Sequence, residues 1–218
     1  MKRFKRGVKT HPAFSRGVKT HPAFSRGVKK EIRIIGWDDS RHSHTDKSVV
    51  LVGPIFRGAE YMDGMLSVSI KKDGLDSTQK IASAIRKSRH YGQLSVIMTD
   101  GITFGGFNLV DIKALHIKTG LPVIAVQRYE PNMKEFLGAI RKVFKKDWRK
   151  RVAIVKKTGK VKRWEKDGRA VFYQSSGLTD AEVSEILDLT ILRGNTPEPL
   201  RVAHLIAGGL SGESRGGA

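Results

Sequence analysis

The 218-residue sequence predicts an α/β fold built on one mixed sheet. Two observations carry that prediction. Residues 31–71 hold three short β-branched runs joined by turns too short for crossover connections, which gives an antiparallel meander. Residues 77–127 then alternate helical and strand periodicity, which gives parallel βα units added to the same sheet.

The elements follow in order. Ile32, Ile34 and Ile35 make the first run, ending at Gly36-Trp37-Asp38-Asp39; Lys47 to Arg57 is the second and Met65 to Lys71 the third. Ser77 to Arg89 sets Ile81 and Ile85 at helical spacing, with Asp76 or Ser77 as the N-cap. Leu94 to Thr99 reads as a buried strand ending at Asp100, Asn108 to Lys118 as a helix stopped by Gly120, and Pro122 to Gln127 as the next strand. Met133 to Phe144 is amphipathic, with Phe136, Leu137, Ile140 and Phe144 on one face. Beyond it, Val152 to Lys157 and Val161 to Trp164 flank Thr158-Gly159-Lys160, which predicts a β-hairpin with a basic tip. Thr179 to Glu182 is a capping box opening a further helix.

Charge is segregated along the chain. Lys and Arg number 41 against 21 Asp and Glu, a formal +20. Residues 1–30 hold ten basic side chains and no acidic one; residues 141–169 hold fourteen against three; the remainder holds 17 against 18 and is close to neutral. Such concentration makes local fields that attract polyanions and steer their approach, and nucleic acid is the partner expected. Within the second segment Lys145, Lys146, Arg149, Lys150, Arg151, Lys156, Lys157, Lys160, Lys162 and Arg163 are the candidate phosphate contacts.

The first segment is also a repeat. Arg6 to Ser15 and Arg16 to Ser25 both read RGVKTHPAFS, and a truncated third copy begins at Arg26. A ten-residue unit holding Gly and Pro cannot bury a face of its own, so residues 1–30 are expected to form an extended arm without core residues. The α/β domain would then span 31–218, with its basic insertion at about 141–169. No apolar run approaches the ~20 residues of a membrane span, and the basic N-terminus lacks a signal-peptide core, so a cytoplasmic protein is expected. There is no cysteine. Disulfides, thiolate catalysis and cysteine-ligated zinc are therefore excluded.

Chemistry must rest on other groups, and the topology points to carboxylates. If the fourth strand lies beside the first, then strands one, three and four run in one direction, and Asp38, Asp73 and Asp100 each fall just past a strand's C-terminal end. Ligands of open α/β sheets bind along that edge. Clustered carboxylates repel unless neutralised, and a hard divalent cation, Mg²⁺ or Mn²⁺, supplies that neutralisation. Asp39 is a further candidate ligand. His42 and His44 follow closely, but Ser40 to Asp46 reads as a polar turn.

Three stretches, GWDDS at Gly36 to Ser40, DGITFGGFNLVDI at Asp100 to Ile112 and TGLPVIAV at Thr119 to Val126, resemble the archaeal DUF99 family, also called UPF0215; so does the ending NTPEPLRVAHLIAGGLSGESRG. The resemblance covers nearly everything after residue 28. That family is itself similar to endonuclease V, a metal-dependent enzyme of RNase H-like fold that cleaves inosine-containing strands. The resemblance implies an RNase H-like mixed sheet and places acidic ligands on Asp38 in G-x-D, on Asp100 in D-G, and on Asp73 before Gly74. It also puts a strand-separating aromatic on Tyr61 and sets Arg201 and His204 beside the site. Departures accompany the matches: aspartate stands at Asp73 where the pattern has glutamate, Ile102 stands where a histidine follows D-G, and neither proline flanks Tyr61. Two functions fit: a divalent-metal endonuclease on a structured or modified strand, or a non-catalytic RNA- or ribosome-binding protein on the same scaffold.

Overall fold

The computed structural model describes Phe24 and residues 27–212. Its elements are β1 (Arg33–Asp39), β2 (Ser48–Arg57), β3 (Tyr61–Lys71), α1 (Ser77–Lys87), β4 (Leu94–Asp100), β5 (Thr103–Phe104), β6 (Asn108–Leu109), α2 (Ile112–Thr119), β7 (Val123–Gln127), α3 (Met133–Val143), α4 (Trp148–Lys157), β8 (Lys162–Lys166), β9 (Arg169–Ser176), α5 (Asp180–Thr190) and α6 (Glu198–Gly209). Seven strands form one mixed sheet in the order β3-β2-β1-β4-β7-β9-β8. The meander is antiparallel, β4 joins β1 in parallel, and β7 extends the parallel block. Strands β1, β3 and β4 therefore point the same way, as the sequence predicts.

Each face of the sheet is covered. Ile35, Trp37, Leu51 and Ile97 pack beneath α1 to α4, while Ile34, Val96, Met98 and Ile124 pack against α5 and the start of α6. Alternation along β1 thus sends Ile35 and Trp37 to one layer and Ile34 to the other. Pro54, which cannot donate to a ladder, falls where β1 and β2 skip pairing between Ile35↔Ile55 and Asp38↔Val52. Gly36 lies under the first turn of α6; a Cβ there would stand 2.6 Å from the Pro199 carbonyl carbon. Only glycine allows the helix so close.

The predicted basic hairpin is not formed. Residues 148–157 are helical, because Val152 and Val155 share one helix face with Arg151 and all three are buried. The real hairpin is β8-β9, turning on Asp167 (φ +51°) and Gly168 (φ +74°), the conformation a two-residue hairpin loop requires. Helix Asn108 to Lys118 begins later than expected: Asn108 and Leu109 pair with β5, and Asp111 caps α2 by accepting from the Ala114 N–H at 2.9 Å. The capping box at Thr179 and Glu182 is present. Most of the repeat arm lies outside the described residues. Its Phe24, however, is 2% exposed and packs with Ile34, Trp164 and Ile186, which corrects the expectation that the repeats hold no core residue. Among the described residues no helix is long and apolar enough to cross a membrane.

Candidate active site

Asp38 and Asp100 end adjacent parallel strands at matching levels, one residue beyond the Trp37↔Thr99 pair. Both side chains leave the sheet on the α6 face, where His204 Nδ1 lies 3.0 Å from Asp38 Oδ2 in a hydrogen bond. Asp38 Oδ1 accepts from the Asp39 N–H at 2.8 Å. Burial, then the Asp100 charge, pushes the Asp38 carboxyl up to about 7; the Asp39 amide and His204 act against the rise. Asp100 opens to solvent at the mouth of the site, yet protein crowds its carboxyl. It too is raised, first by desolvation and then by the Asp39 charge, while His204 and Arg128 pull it down. Two neighbouring carboxyls held above their ordinary range are a site a cation would relieve.

Asp39 and Asp73 take the other face. Alternation turns Asp39 toward the β5-β6 turn, where its Oδ2 accepts from Gly105 N–H at 2.8 Å. The Asp73 N–H donates to the carbonyl of that same Gly105 at 2.8 Å, and Asp73 Oδ1 accepts from Phe107 N–H at 2.9 Å. Asp73 adopts φ +53° to do so. The four aspartates of this edge are thus split by the sheet into two pairs. Among the described residues no three His, Asp or Glu side chains converge on one point where an ion would sit. Strand β2 lies between β3 and β1, a span of about 10 Å, so Asp73 approaches this edge from the turn beyond β3. His42 approaches Asp39, at 3.6 Å from Nδ1 to Oδ2.

The predicted nucleic-acid contacts divide as well. Lys145, Lys146, Arg149 and Lys150 are exposed around the α3-α4 turn. Arg151 is not among them: it is 4% exposed and donates to the carbonyls of Asp73 (2.8 Å), Gly74 (3.2 Å) and Phe107 (2.8 Å), with its guanidinium 3.7 Å over the Phe144 ring. It fastens α4 to the Asp73 loop, so the basic turn sits on the same sheet edge as the aspartates. Lys156, Lys157 and Lys160 cluster at the far end of α4, with Lys157 3.9 Å from Asp111. Lys162 and Arg163 lie on the opposite edge strand and pair with Asp180 and Glu165. Arg201 is held by Glu198 through two hydrogen bonds. Tyr61 is 62% exposed but begins β3 at the end of the sheet away from Asp38 and Asp100.

Sequence patterns do not single out Arg128, Asn195 and Thr196, which with Asp100, Val126, Leu200 and His204 line a cavity of ≈ 260 Å³ beside the carboxylate pair. Arg128 directly follows the C-terminal end of β7, next to β4, and that position is the one signal that could have found it.

Comparison with known proteins fits this geometry. The sequence pattern of a family described as endonuclease dU matches residues 30–211. The chain belongs to that family. UPF0215 proteins of Methanosarcina acetivorans (47% identical over 191 residues, covering 86% of this chain and 95% of that one) and Methanothermobacter thermautotrophicus (43% over 190 residues, 86% and 92%) are similar throughout. A crystal structure of an Archaeoglobus fulgidus protein of unknown function superposes with TM-score 0.73 at 36% identity, covering 82% of this chain and 97% of that one. Endonuclease V of Ciona intestinalis, solved with a 24mer DNA containing an inosine followed by a ribo-adenosine, superposes with TM-score 0.55 at 12% identity, covering 85% and 87%. This endonuclease dU family member therefore shares the endonuclease V fold.

Proposed function

We propose that this protein is a divalent-metal-dependent endonuclease that cuts nucleic acid strands carrying deoxyuridine. The Asp38 and Asp100 pair carries this reading, because two partly desolvated carboxylates on adjacent strand ends, with no lysine between them, are oxygen donors suited to Mg²⁺ or Mn²⁺. When bound there, such an ion supplies a water of lowered pKa and neutralises charge at the phosphodiester. Asp38 and Asp100 would hold it. His204 fixes the Asp38 carboxylate by its 3.0 Å hydrogen bond. Arg128, on the far side of Asp100, offers a guanidinium to a strand phosphate, and Lys145, Lys146, Arg149 and Lys150 attract the backbone without reading its sequence. Deoxyuridine is taken from the description of the family; endonuclease V structures determined with inosine-containing DNA favour a modified base on the same fold.

The test is cleavage of end-labelled strands differing only by deoxyuridine, deoxyinosine or thymidine at one position, with Mg²⁺, Mn²⁺ or chelator. Metal-dependent cutting confined to the deoxyuridine strand, and reduced by orders of magnitude in Asp38→Asn and Asp100→Asn, is the expected result. Equal cutting of all three strands would refute the substrate, and cutting that survives both substitutions would refute the site.

A further inference from the structure

We infer that the cavity between the end of β7 and α6 is a base-binding pocket, which takes one unstacked base of the nucleotide next to the phosphodiester held at Asp38 and Asp100. The cavity's ≈ 260 Å³ lies below the ~300–1,000 Å³ typical of pockets for drug-sized ligands, room for a single heterocycle and not for a stacked pair. Its lining matches what a base presents. Val126 and Leu200, 3% and 2% exposed, belong to the core and close the cavity's apolar floor. Asn195, Thr196 and His204 stand as polar groups for ring edges, and the Asn195 amide offers both a donor and an acceptor. Arg128 supplies positive charge for the attached phosphate, and its hydrogen bond to Thr196 Oγ1, 3.5 Å long, ties it to the same wall.

Position fixes the register of the ligand. Asp100 belongs to the lining, so a base in the cavity has its own phosphate within reach of the carboxylate pair. Gly36 allows α6 to lie against β1, and that seat places Leu200 and His204, one turn apart, along one side of the opening. Hydrogen bonds from Asn195 and Thr196 to the edge of a base would together change affinity by roughly tenfold.

This rests on Asp38 and Asp100 being the cutting site, and the experiment separates the two. A single-stranded oligodeoxynucleotide with one deoxyuridine is prepared as a set in which an abasic spacer replaces each nucleotide within three positions of it. Affinities are measured in chelator for the full chain and for the Asn195→Ala/Thr196→Ala variant, both changes being in the loop before α6. The wild type should bind roughly tenfold more weakly when the spacer falls at one position adjacent to the deoxyuridine, and the variant should show no further weakening at that position. Uniform sensitivity along the strand, or a variant that keeps the wild-type response, would overturn the pocket. Cutting of the intact strand with Mg²⁺, measured in parallel, scores the nuclease reading independently.

Discussion

His204 and Asp38 stand 166 positions apart in the chain and 3.0 Å apart in space, joining the last helix to the first strand at the point where both meet Asp100. Burial of Asp38, which this hydrogen bond only partly offsets, makes stability depend on pH. Asp38 binds its proton more tightly in the folded protein, where its pKa is about 7, than in the unfolded chain, where it is ordinary. Its contribution to stability is therefore full at pH below about 4 and fades as pH rises towards 7. Without metal, Asp38→Asn should raise the melting temperature at pH 8 by several degrees and leave it nearly unchanged at pH 4. Millimolar Mg²⁺ should raise the wild-type value at pH 8 and not that of the variant. Melting curves of the two proteins that run parallel from pH 4 to 8 would contradict the burial of this carboxylate.

Arg151 and the lysines around it should respond in opposite ways to substitution. Arg151→Met leaves the carbonyls of Asp73, Gly74 and Phe107 without that donor, at a cost of about 3 kcal/mol or more, read as a lowered denaturation midpoint. Replacing Lys145, Lys146, Arg149 and Lys150 together by Ser should leave stability within about 0.5 kcal/mol per site. Nucleic-acid affinity should fall in the quadruple variant, and its dependence on salt should flatten by about one unit of slope for each phosphate that is no longer neutralised. An unchanged salt slope would show that the α3-α4 turn does not meet phosphate.

Gly36→Ala tests the seat of α6. The added methyl meets backbone and not a movable side chain, so the helix must shift. Melting temperature should drop, and cleavage should fall further than the fraction unfolded accounts for, since His204 and Leu200 move with the helix. Wild-type activity in a folded Gly36→Ala protein would show that α6 does not need its close seat.

Phe24 gives a fourth test. Truncation to Ala should cost about 3–5 kcal/mol, the range for a buried phenylalanine, measured by urea denaturation. The matching change at Phe14, in the preceding repeat, is the control: a like effect there would mean that the two copies share the anchoring role.

Much of this architecture is legible in the sequence. Short turns over residues 31–71 dictate an antiparallel meander, and handedness puts β4 beside β1, so the edge carrying Asp38 and Asp100 can be named without coordinates. Which face each aspartate takes is also encoded, since alternation sends neighbours Asp38 and Asp39 to opposite sides, but strand ends alone do not reveal it. Residues Arg151 to Val155 illustrate a different difficulty. Their β-branched run favours a strand locally, and burial of Val152 and Val155 together with Arg151 on one helix face, a tertiary effect, makes them helical. The true hairpin signal lies further along, in Asp167-Gly168. Arg128, Asn195 and Thr196 have no pattern of their own; they meet because β7 and the approach to α6 end at the same place.

The carbonyl cradle around Arg151 has a thermodynamic consequence. A basic lobe on a free hinge would have to be ordered each time a strand bound, and that entropy would be subtracted from the affinity of every phosphate it touched. Here one buried guanidinium, already bonded to the loop that carries Asp73, has fixed the lobe during folding. Under the proposed function, attraction gathered at Lys145, Lys146, Arg149 and Lys150 would then go into aligning the strand over the sheet edge, so that tight binding and correct placement of the scissile bond become one event.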